Sequence, residues 1–223
     1  MQLPNLVTVS ADNGELLTQL ANTAGDAALE RLWLREMLAG FPATSEGSDR
    51  ERFLARAMLL NQLITAAPYG AVHCTGDGEG LLVAYQQSEL NGNTWDQMAK
   101  DASANLISSV FSDEESDAYE AQLKRMEAVT VRDWVLREEA PGDFLHLVTC
   151  LVNREKQGSG EFREMVEALL AYADAAQLPV FAEVYSDAME DALEMLGFKT
   201  VHVFKDANVA LTERCMRRNP QAA

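Results

Sequence analysis

The sequence predicts a single α/β domain spanning residues 1–223, in which helices flank a mixed, mostly antiparallel sheet of about six or seven strands. Its 223 residues fall within the length that one hydrophobic core can stabilise. Apolar residues make up 48% of the chain and charged residues 24%, a composition typical of folded globular proteins. Strand-like and helical apolar patterns also follow one another along the chain, which indicates a mixed fold.

The first 143 residues hold the helix-rich part of the predicted domain. Residues 6–9 have the pattern of a short strand, and apolar residues at helical spacing predict a helix over residues 28–38. A second helix is predicted over residues 50–66, because Pro68 ends the pattern. Its apolar side is expected to consist of Phe53, Ala57, Leu60 and Ile64. Two helices therefore precede the main sheet in this prediction.

A hairpin and a helical insert follow. Residues 69–75 and 81–87 are strand-like runs joined by the glycine-rich residues 76–80, as in an antiparallel hairpin. Residues 95–127 have a helical pattern that the acidic residues 113–117 interrupt. We expect this insert to cover the sheet or to shape a pocket.

The second part of the domain, residues 144–212, begins with the clearest strand signal in the chain. Residues 144–152 form a continuous, mainly apolar run, which predicts a central strand buried on both faces. A loop leads from it into an amphipathic helix, and residues 180–185 predict the next strand. The order strand, helix, strand is therefore expected here.

The chain is expected to close with a short helix and two strands. Ser186 or Asp187 can cap the helix, which ends near Gly197. Residues 199–204 and 208–212 are predicted to form the closing strands, joined by a turn.

The charge of the chain limits its partners. The formal net charge is -17, and nucleic-acid binding depends on clustered Lys and Arg, so no nucleic acid is expected. A basic run at residues 214–218 is interpreted as a solvated chain end. The acidic field would instead attract a cationic amine substrate.

Apolar run lengths and cysteine spacing bear on location and metal binding. No stretch approaches the roughly 20 apolar residues of a membrane span, and the first residues do not have the pattern of a secretory leader, so we expect a cytoplasmic protein without a membrane partner. Cys74, Cys150 and Cys215 fit neither a disulfide framework nor the spacing of a zinc site. They are predicted to be reduced, mostly buried thiols, and no metal site is predicted.

A glycine-containing loop between the central strand and its helix is the main functional signal. It reads Gln157, Gly158, Ser159, Gly160. Glycines let the backbone approach a ligand closely, and the free N–H groups and dipole of a helix N-terminus favour an anion. The loop is therefore predicted to be a phosphate cradle, with a plain strand-to-helix turn as the alternative. It does not end in the Gly-Lys-Ser/Thr of a P-loop.

Over residues 144–212 the sequence resembles the GNAT superfamily of N-acetyltransferases. That family carries Gln/Arg-x-x-Gly-x-Gly/Ala at this place, where the chain has the four loop residues followed by Glu161 and, as a departure, Phe162. Val152 matches an aliphatic residue five positions before the Gln, and residues 196–198 match a later Leu-Gly-Phe. The resemblance implies a V-shaped acyl-CoA cleft in the sheet and acetyl-CoA as the acyl-donor cosubstrate.

The resemblance also implies how the cofactor is held. The backbone of the segment Cys150, Leu151, Val152 would pair with the pantetheine arm, and the amides of residues 158–162 would bind the pyrophosphate. Phe162 still supplies an N–H group, so the departure leaves the anion site in place. Lys156 and Arg163 flank the loop and either reach a phosphate of CoA or are solvated charges.

Amine acetylation needs a group that takes a proton and a donor that stabilises the departing thiolate. His146 falls where some family members place their general base, although a His in an apolar strand is often a core residue. Glu183 is the alternative base, with its pKa expected to rise by burial, or it is a paired structural carboxylate. Related enzymes often carry a Tyr that acts as the general acid where this chain has Leu193. Tyr185 is the candidate substitute.

These observations give two hypotheses about function. The first is direct transfer of an acetyl group from acetyl-CoA to an amine, carried on a small molecule or a peptide, with His146 or Glu183 as base. The second is a non-catalytic acyl-CoA-binding or interaction domain of the same fold. A homodimer is left open, and nothing in the sequence names the acceptor.

Overall fold

A computed structural model describes residues 1–42, 44–90, 92–131, 134–137 and 142–221, in which seven strands form one sheet. The strands are β1 (Val7–Thr8), β2 (Val72–Cys74), β3 (Gly80–Gln86), β4 (Leu145–Val152), β5 (Val180–Val184), β6 (Lys199–Lys205) and β7 (Thr212–Arg218). The helices of the same residues are α1 (Gly14–Ala28), α2 (Leu32–Leu38), α3 (Asp49–Ala66), α4 (Trp95–Ser109), α5 (Asp113–Met126), α6 (Trp134–Arg137), α7 (Glu161–Ala176) and α8 (Asp187–Glu194).

The sheet has the order β1-β2-β3-β4-β5-β7-β6. Strands β4 and β5 are parallel, and the other neighbouring pairs are antiparallel. The prediction of a mixed, mostly antiparallel sheet flanked by helices is therefore confirmed, as is the hairpin of β2 and β3. The parallel pair needs a crossover, which α7 supplies.

Apolar clusters cover both faces of the sheet. One contains the buried faces of α1 to α5 packed against β2 and β3. The other packs α7 and α8 against β4, β5 and β7, around Leu169 and Phe198. No helix among the described residues is long and apolar enough to cross a bilayer.

The helices before the hairpin differ from the prediction. Three of them are present, because α1 occupies residues for which no helix was predicted, and Ala28 is its last residue. The buried side of α3 also differs from the predicted one, since Phe53 and Ile64 are 51% and 52% exposed while Leu54 and Leu63 are buried. Both sets have helical spacing, and contact with α1 and the sheet selects the second.

The last strand likewise corrects the prediction. It is β7, which begins at Thr212 and lies between β5 and β6, whereas residues 208–212 were predicted. The basic run is therefore inside the sheet and is not a solvated end. Arg218 is 4% exposed and binds both carboxylate oxygens of Asp174 on α7, at 2.7 and 2.9 Å.

Candidate active site

The sheet opens between its two parallel strands. Strand β4 pairs with β5 only from Leu145 to Leu147 and then continues to Val152 along a cleft of about 530 Å³. At the point of opening, the register with β3 skips Val148, because Val83 lies opposite Thr149 and Ala84 opposite Leu147. A bulge of this kind bends the strand. The edge of β4 beyond it therefore faces an open cleft.

The glycine loop lies at one end of this cleft. Gly158 and Gly160 have φ of 82° and 98°, which side chains rarely adopt, and a Cβ built on either meets no atom within 4 Å. Gly160 caps α7, whose first N–H groups have no acceptor inside the helix. The loop therefore presents backbone donors beside empty space, which suits an anion.

The cleft brings together most of the residues predicted to bind the cofactor. Those lining it are Cys150, Leu151, Val152, Gln157, Gly158, Gly160, Glu161 and Phe162. Ser159 is not among them, and its hydroxyl accepts a hydrogen bond of 3.3 Å from the Glu161 amide. The predicted contact of the Ser159 amide with the pyrophosphate stays a prediction.

The charges at this end are mixed. Lys156 and Arg163 both line the cleft, although Arg163 also binds Glu167 at 2.7 Å. Burial, followed by the nearby Asp77, raises the pKa of Glu161. Glu30, from the turn between α1 and α2, accepts a hydrogen bond of 2.8 Å from Gln157 and so ties the loop to that turn.

A second cavity, of about 320 Å³, adjoins the cleft. It lies under α1 to α5, on the face of the sheet opposite α7, and most of its lining is apolar. The large apolar residues of the lining include Trp33, Leu34, Met37, Met58, Leu59, Met98, Leu106 and Tyr119. Cleft and cavity share Arg31, Val148, Glu183 and Tyr185. These four residues therefore mark the junction of the two spaces.

His146 and Glu183 meet near this junction. The Nε2 atom of His146 lies 2.7 and 2.9 Å from the two carboxylate oxygens of Glu183, and Trp134 Nε1 donates to the same carboxylate at 2.5 Å. Burial raises the pKa of Glu183, but the charge of His146 and these hydrogen bonds outweigh it, so the pKa is lowered. The expected rise was wrong, because His146 lies adjacent on β4.

A second hydrogen-bonded pair, Tyr185 and Glu213, contains a residue that the sequence prediction missed. The hydroxyl of Tyr185 donates a hydrogen bond of 2.7 Å to Glu213, which also accepts from the Val131 amide at 3.1 Å. Glu213 is 2% exposed, and burial, with the nearby Glu183, raises its pKa to about 7 despite these hydrogen bonds. A carboxyl group of this pKa can exchange a proton near neutral pH.

The reason for the omission is the misplaced last strand. With β7 beginning at Thr212, Val184 lies opposite Arg214, so Glu213 continues the register opposite Tyr185. A strand ending at residue 212 left Glu213 outside the sheet. The strand reads Thr-Glu-Arg-Cys-Met-Arg-Arg, so it has no apolar alternation that could have located Glu213 in the sheet.

Leu193 and Cys150, two further residues considered in the sequence analysis, both line the cleft. Leu193 lines the cleft and is 1% exposed within the apolar cluster of α7 and α8. Burial raises the pKa of the half-buried Cys150 thiol to about 12. Cys74 and Cys215 are buried, reduced cysteines, as predicted.

Comparison with known proteins identifies the fold. No protein-family model and no curated protein sequence matches the chain. Among solved structures, arylalkylamine N-acetyltransferase 2 of Aedes aegypti superposes with a TM-score of 0.61 at 11% identity, over 97% of this chain and 98% of that one. The polyamine N-acetyltransferase of Drosophila melanogaster, which forms N-acetylagmatine, gives 0.54 at 14% identity, over 96% and 98%.

A bacterial structure gives the same result. It comes from Corynebacterium glutamicum, is called histone acetyltransferase HPA2 and related acetyltransferase, and superposes with a TM-score of 0.53 at 13% identity, over 100% of this chain and 99% of that one. The chain thus has the fold of the GNAT acetyltransferases, over nearly its full length. At these identities the likeness concerns the fold, and the chemistry of the site has to be argued from its residues.

Proposed function

We propose that this protein transfers an acetyl group from acetyl-CoA directly to a primary amine that carries an apolar body. The observation that carries the proposal is the junction of two spaces at Arg31, Val148, Glu183 and Tyr185. One space is a cleft with an anion-binding loop, and the other is an apolar cavity with buried carboxyl groups. A donor and an acceptor bound in them would meet at the junction.

The cleft supports acetyl-CoA as the donor. Its length from the glycine loop to the Val148 bulge follows the unpaired edge of β4, to which an extended pantetheine arm can add as a strand does. The residues that would hold the pyrophosphate are Gly158, Gly160 and the first turn of α7. When bound, CoA supplies the activated thioester.

The cavity supports an amine with an apolar body as the acceptor. Its apolar walls would bury a hydrocarbon or aromatic group, while Glu183 and Glu213 at one side would bind the cationic ammonium. The lowered pKa of Glu183 keeps it charged at neutral pH for this purpose. The net charge of -17 would draw cations towards the site.

Glu213 is assigned as the general base. Its pKa of about 7 lets it accept a proton from the ammonium at neutral pH, directly or through one water. His146 and Glu183 are left with different parts: His146 holds the Glu183 carboxylate, and Glu183 holds the ammonium. The amine nitrogen then attacks the thioester carbon, the C–N bond forms, the C–S bond breaks, and the second amine proton leaves to solvent.

The protonation state of the Cys150 thiol supports direct transfer of the acetyl group. Its pKa of about 12 keeps the thiol protonated at neutral pH, and the side chain packs with the cluster on the α7 side of the sheet. A protonated thiol is a poor nucleophile, so no acyl-cysteine intermediate is expected.

The test measures CoA release from acetyl-CoA with a panel of primary amines, graded from small aliphatic to arylalkyl compounds and including polyamines. We expect turnover that increases with the apolar size of the acceptor until the cavity is filled. Acetyl-CoA binding by calorimetry with no turnover on any amine would support the alternative, a non-catalytic acyl-CoA-binding domain. Failure to bind acetyl-CoA would contradict both.

A further inference from the structure

Arg31, at the N-terminal end of α2, is a cation at the junction that the proposed function does not yet use. Its Nη1 donates to the Thr149 hydroxyl at 3.0 Å and its Nη2 to the Val148 carbonyl at 3.4 Å. Both acceptors are neutral. Among the described residues, no carboxylate oxygen lies within 4.0 Å of its guanidinium. A partly buried charge without a counterion indicates that an anionic group arrives with a ligand.

The position of Arg31 identifies which part of a ligand this is. It lines both the cleft and the cavity, as do Val148, Glu183 and Tyr185. The reacting thioester has to lie at that junction, because it is where donor and acceptor meet. The other cations of the cleft, Lys156 and Arg163, flank the glycine loop and line the cleft only.

Neither position that the sequence offered for a proton donor, residue 193 or Tyr185, presents a hydroxyl that is available to the leaving sulfur. Leu193 stands where the family resemblance implies a Tyr as proton donor, and its side chain is fully apolar. Tyr185 donates its hydroxyl hydrogen bond to Glu213, and burial, with the nearby Glu213, raises the pKa of Tyr185 well above 10. The sulfur therefore has to leave as an anion or meet another stabilising group.

The geometry points to Arg31 as the residue that stabilises the CoA thiolate as it departs, in place of a proton donor. This inference rests on the proposed acetyl transfer. As the C–S bond breaks, its electron pair stays on sulfur, and the guanidinium charge offsets the new negative charge. No proton is transferred at that step, and solvent protonates the thiolate after release. A thiol has a reference pKa of about 8.5, so this anion is accessible near neutral pH.

The other charged groups at the junction determine how strongly Arg31 can stabilise the thiolate. Glu183 is negative and would oppose the thiolate, but His146 and Trp134 bind its carboxylate. Burial lowers the pKa of Arg31, yet a guanidinium remains protonated in proteins. A cation within about 4–6 Å lowers the pKa of an acidic group by about one to three units.

The first measurement needs CoA binding alone. The thiol pKa of CoA bound to the protein is read from thiolate absorbance in the ultraviolet, with the CoA-free protein as the blank. We expect a pKa lower than that of free CoA by about one unit or more in the wild type, retained in Arg31→Lys and lost in Arg31→Met. The raised pKa values of Cys74 and Cys150 keep the protein's own background low. Arg35→Met, on the exposed side of α2, is the matched control.

The second measurement is turnover, with thermal unfolding used to confirm that each variant is folded. Arg31→Met should lower kcat about 100-fold while the Kd for CoA changes by less than about threefold. The loss should grow as acetyl thioesters of less acidic thiols are used.

The outcomes separate the inference from the proposed function. A bound-thiol pKa that is the same in the wild type and in Arg31→Met would overturn the inference even if amines are acetylated. A loss confined to KM for acceptors that carry a carboxylate would also overturn it, because Arg31 would then anchor the acceptor. A lowered thiol pKa with no turnover on any amine would contradict the proposed function but not the stabilisation of the CoA thiolate by Arg31.

Discussion

The hydroxyl of Tyr185 donates a hydrogen bond of 2.7 Å to Glu213 Oε2 and thereby joins the end of β5 to the start of β7 in the lining of the 320 Å³ cavity. The antiparallel register, with Val184 opposite Arg214, places the two side chains on one face. This contact holds Glu213 where burial raises its pKa to about 7.

Replacing Glu213 by Gln should remove the general base. We expect kcat/KM to fall by about 10²–10⁴-fold. In the wild type, kcat/KM should rise with pH through about 7 as Glu213 loses its proton, and the variant should lack this limb. A limb due to the acceptor amine, near pH ~10, should remain. Glu194→Gln, an exposed change on α8, should behave as wild type, and an unaltered limb in Glu213→Gln would assign the base elsewhere.

The same variant should be more stable than the wild type at alkaline pH. Because the pKa of Glu213 is raised from 4.5 to about 7 in the folded state, ionisation costs folding energy, and the contribution of this carboxyl to stability falls as pH rises from 4.5 to 7. Glu213→Gln avoids this loss, so its advantage in urea unfolding should grow from near zero at low pH to on the order of 3 kcal/mol at pH ~8. A constant difference across this range would show that the carboxyl is not perturbed.

Replacing Gly160 by Ala tests the anion cradle. Its φ of 98° should make the change cost about 1–2 kcal/mol of stability, and the added methyl would stand where the phosphates are expected. Calorimetry should show acetyl-CoA affinity reduced at least tenfold. Gly47 has φ of 77° and equally open surroundings, so Gly47→Ala should match the stability loss and leave affinity unchanged. Equal affinities in both variants would place the pyrophosphate elsewhere.

Replacing Ala102 by Leu tests the acceptor cavity. Ala102 lies on α4 and lines the cavity, so the larger side chain should exclude bulky acceptors. We expect KM to rise about tenfold for arylalkylamines, because they would lose a few buried CH₂ contacts. KM for small amines should change little. Ala104→Leu, on the exposed side of α4, is the control. A similar effect on small and large amines would argue against this cavity as the acceptor site.

Replacing Asp174 by Asn tests the ion pair that fixes β7 to α7. Arg218 is 4% exposed, so loss of its partner leaves a buried charge and should cost about 2–3 kcal/mol, less than a fully buried pair because 29% of the Asp174 side chain is exposed. Glu167→Gln breaks an exposed pair with Arg163 on the same helix and should cost below about 0.5 kcal/mol. Denaturant unfolding compares the two. Equal losses would mean that Arg218 finds other partners.

Much of the order of strands and helices along the chain could be predicted from local sequence patterns. The apolar run of β4, the two glycines and the amphipathic α7 form a contiguous unit, so spacing alone located the loop between strand and helix. The buried face of α3 could not be predicted in this way, because residues 53, 57, 60 and 64 and the residues that are in fact buried, 54, 55, 58, 59 and 63, both fit a helical period. Only packing against α1 and the sheet distinguished them.

The sequence by itself determined the strand-loop-helix that borders the cleft, because every residue of that unit is a chain neighbour and backbone conformation there depends on local residue types. The tertiary structure decided the chemistry at the junction, where Arg31, His146, Glu183 and Glu213 come from four separate elements. The pKa of Glu183, for example, depends on burial and on His146, which lies 37 residues away in sequence. Local patterns carry no information on such distances, so Glu213 became a candidate base only when β7 was placed beside β5.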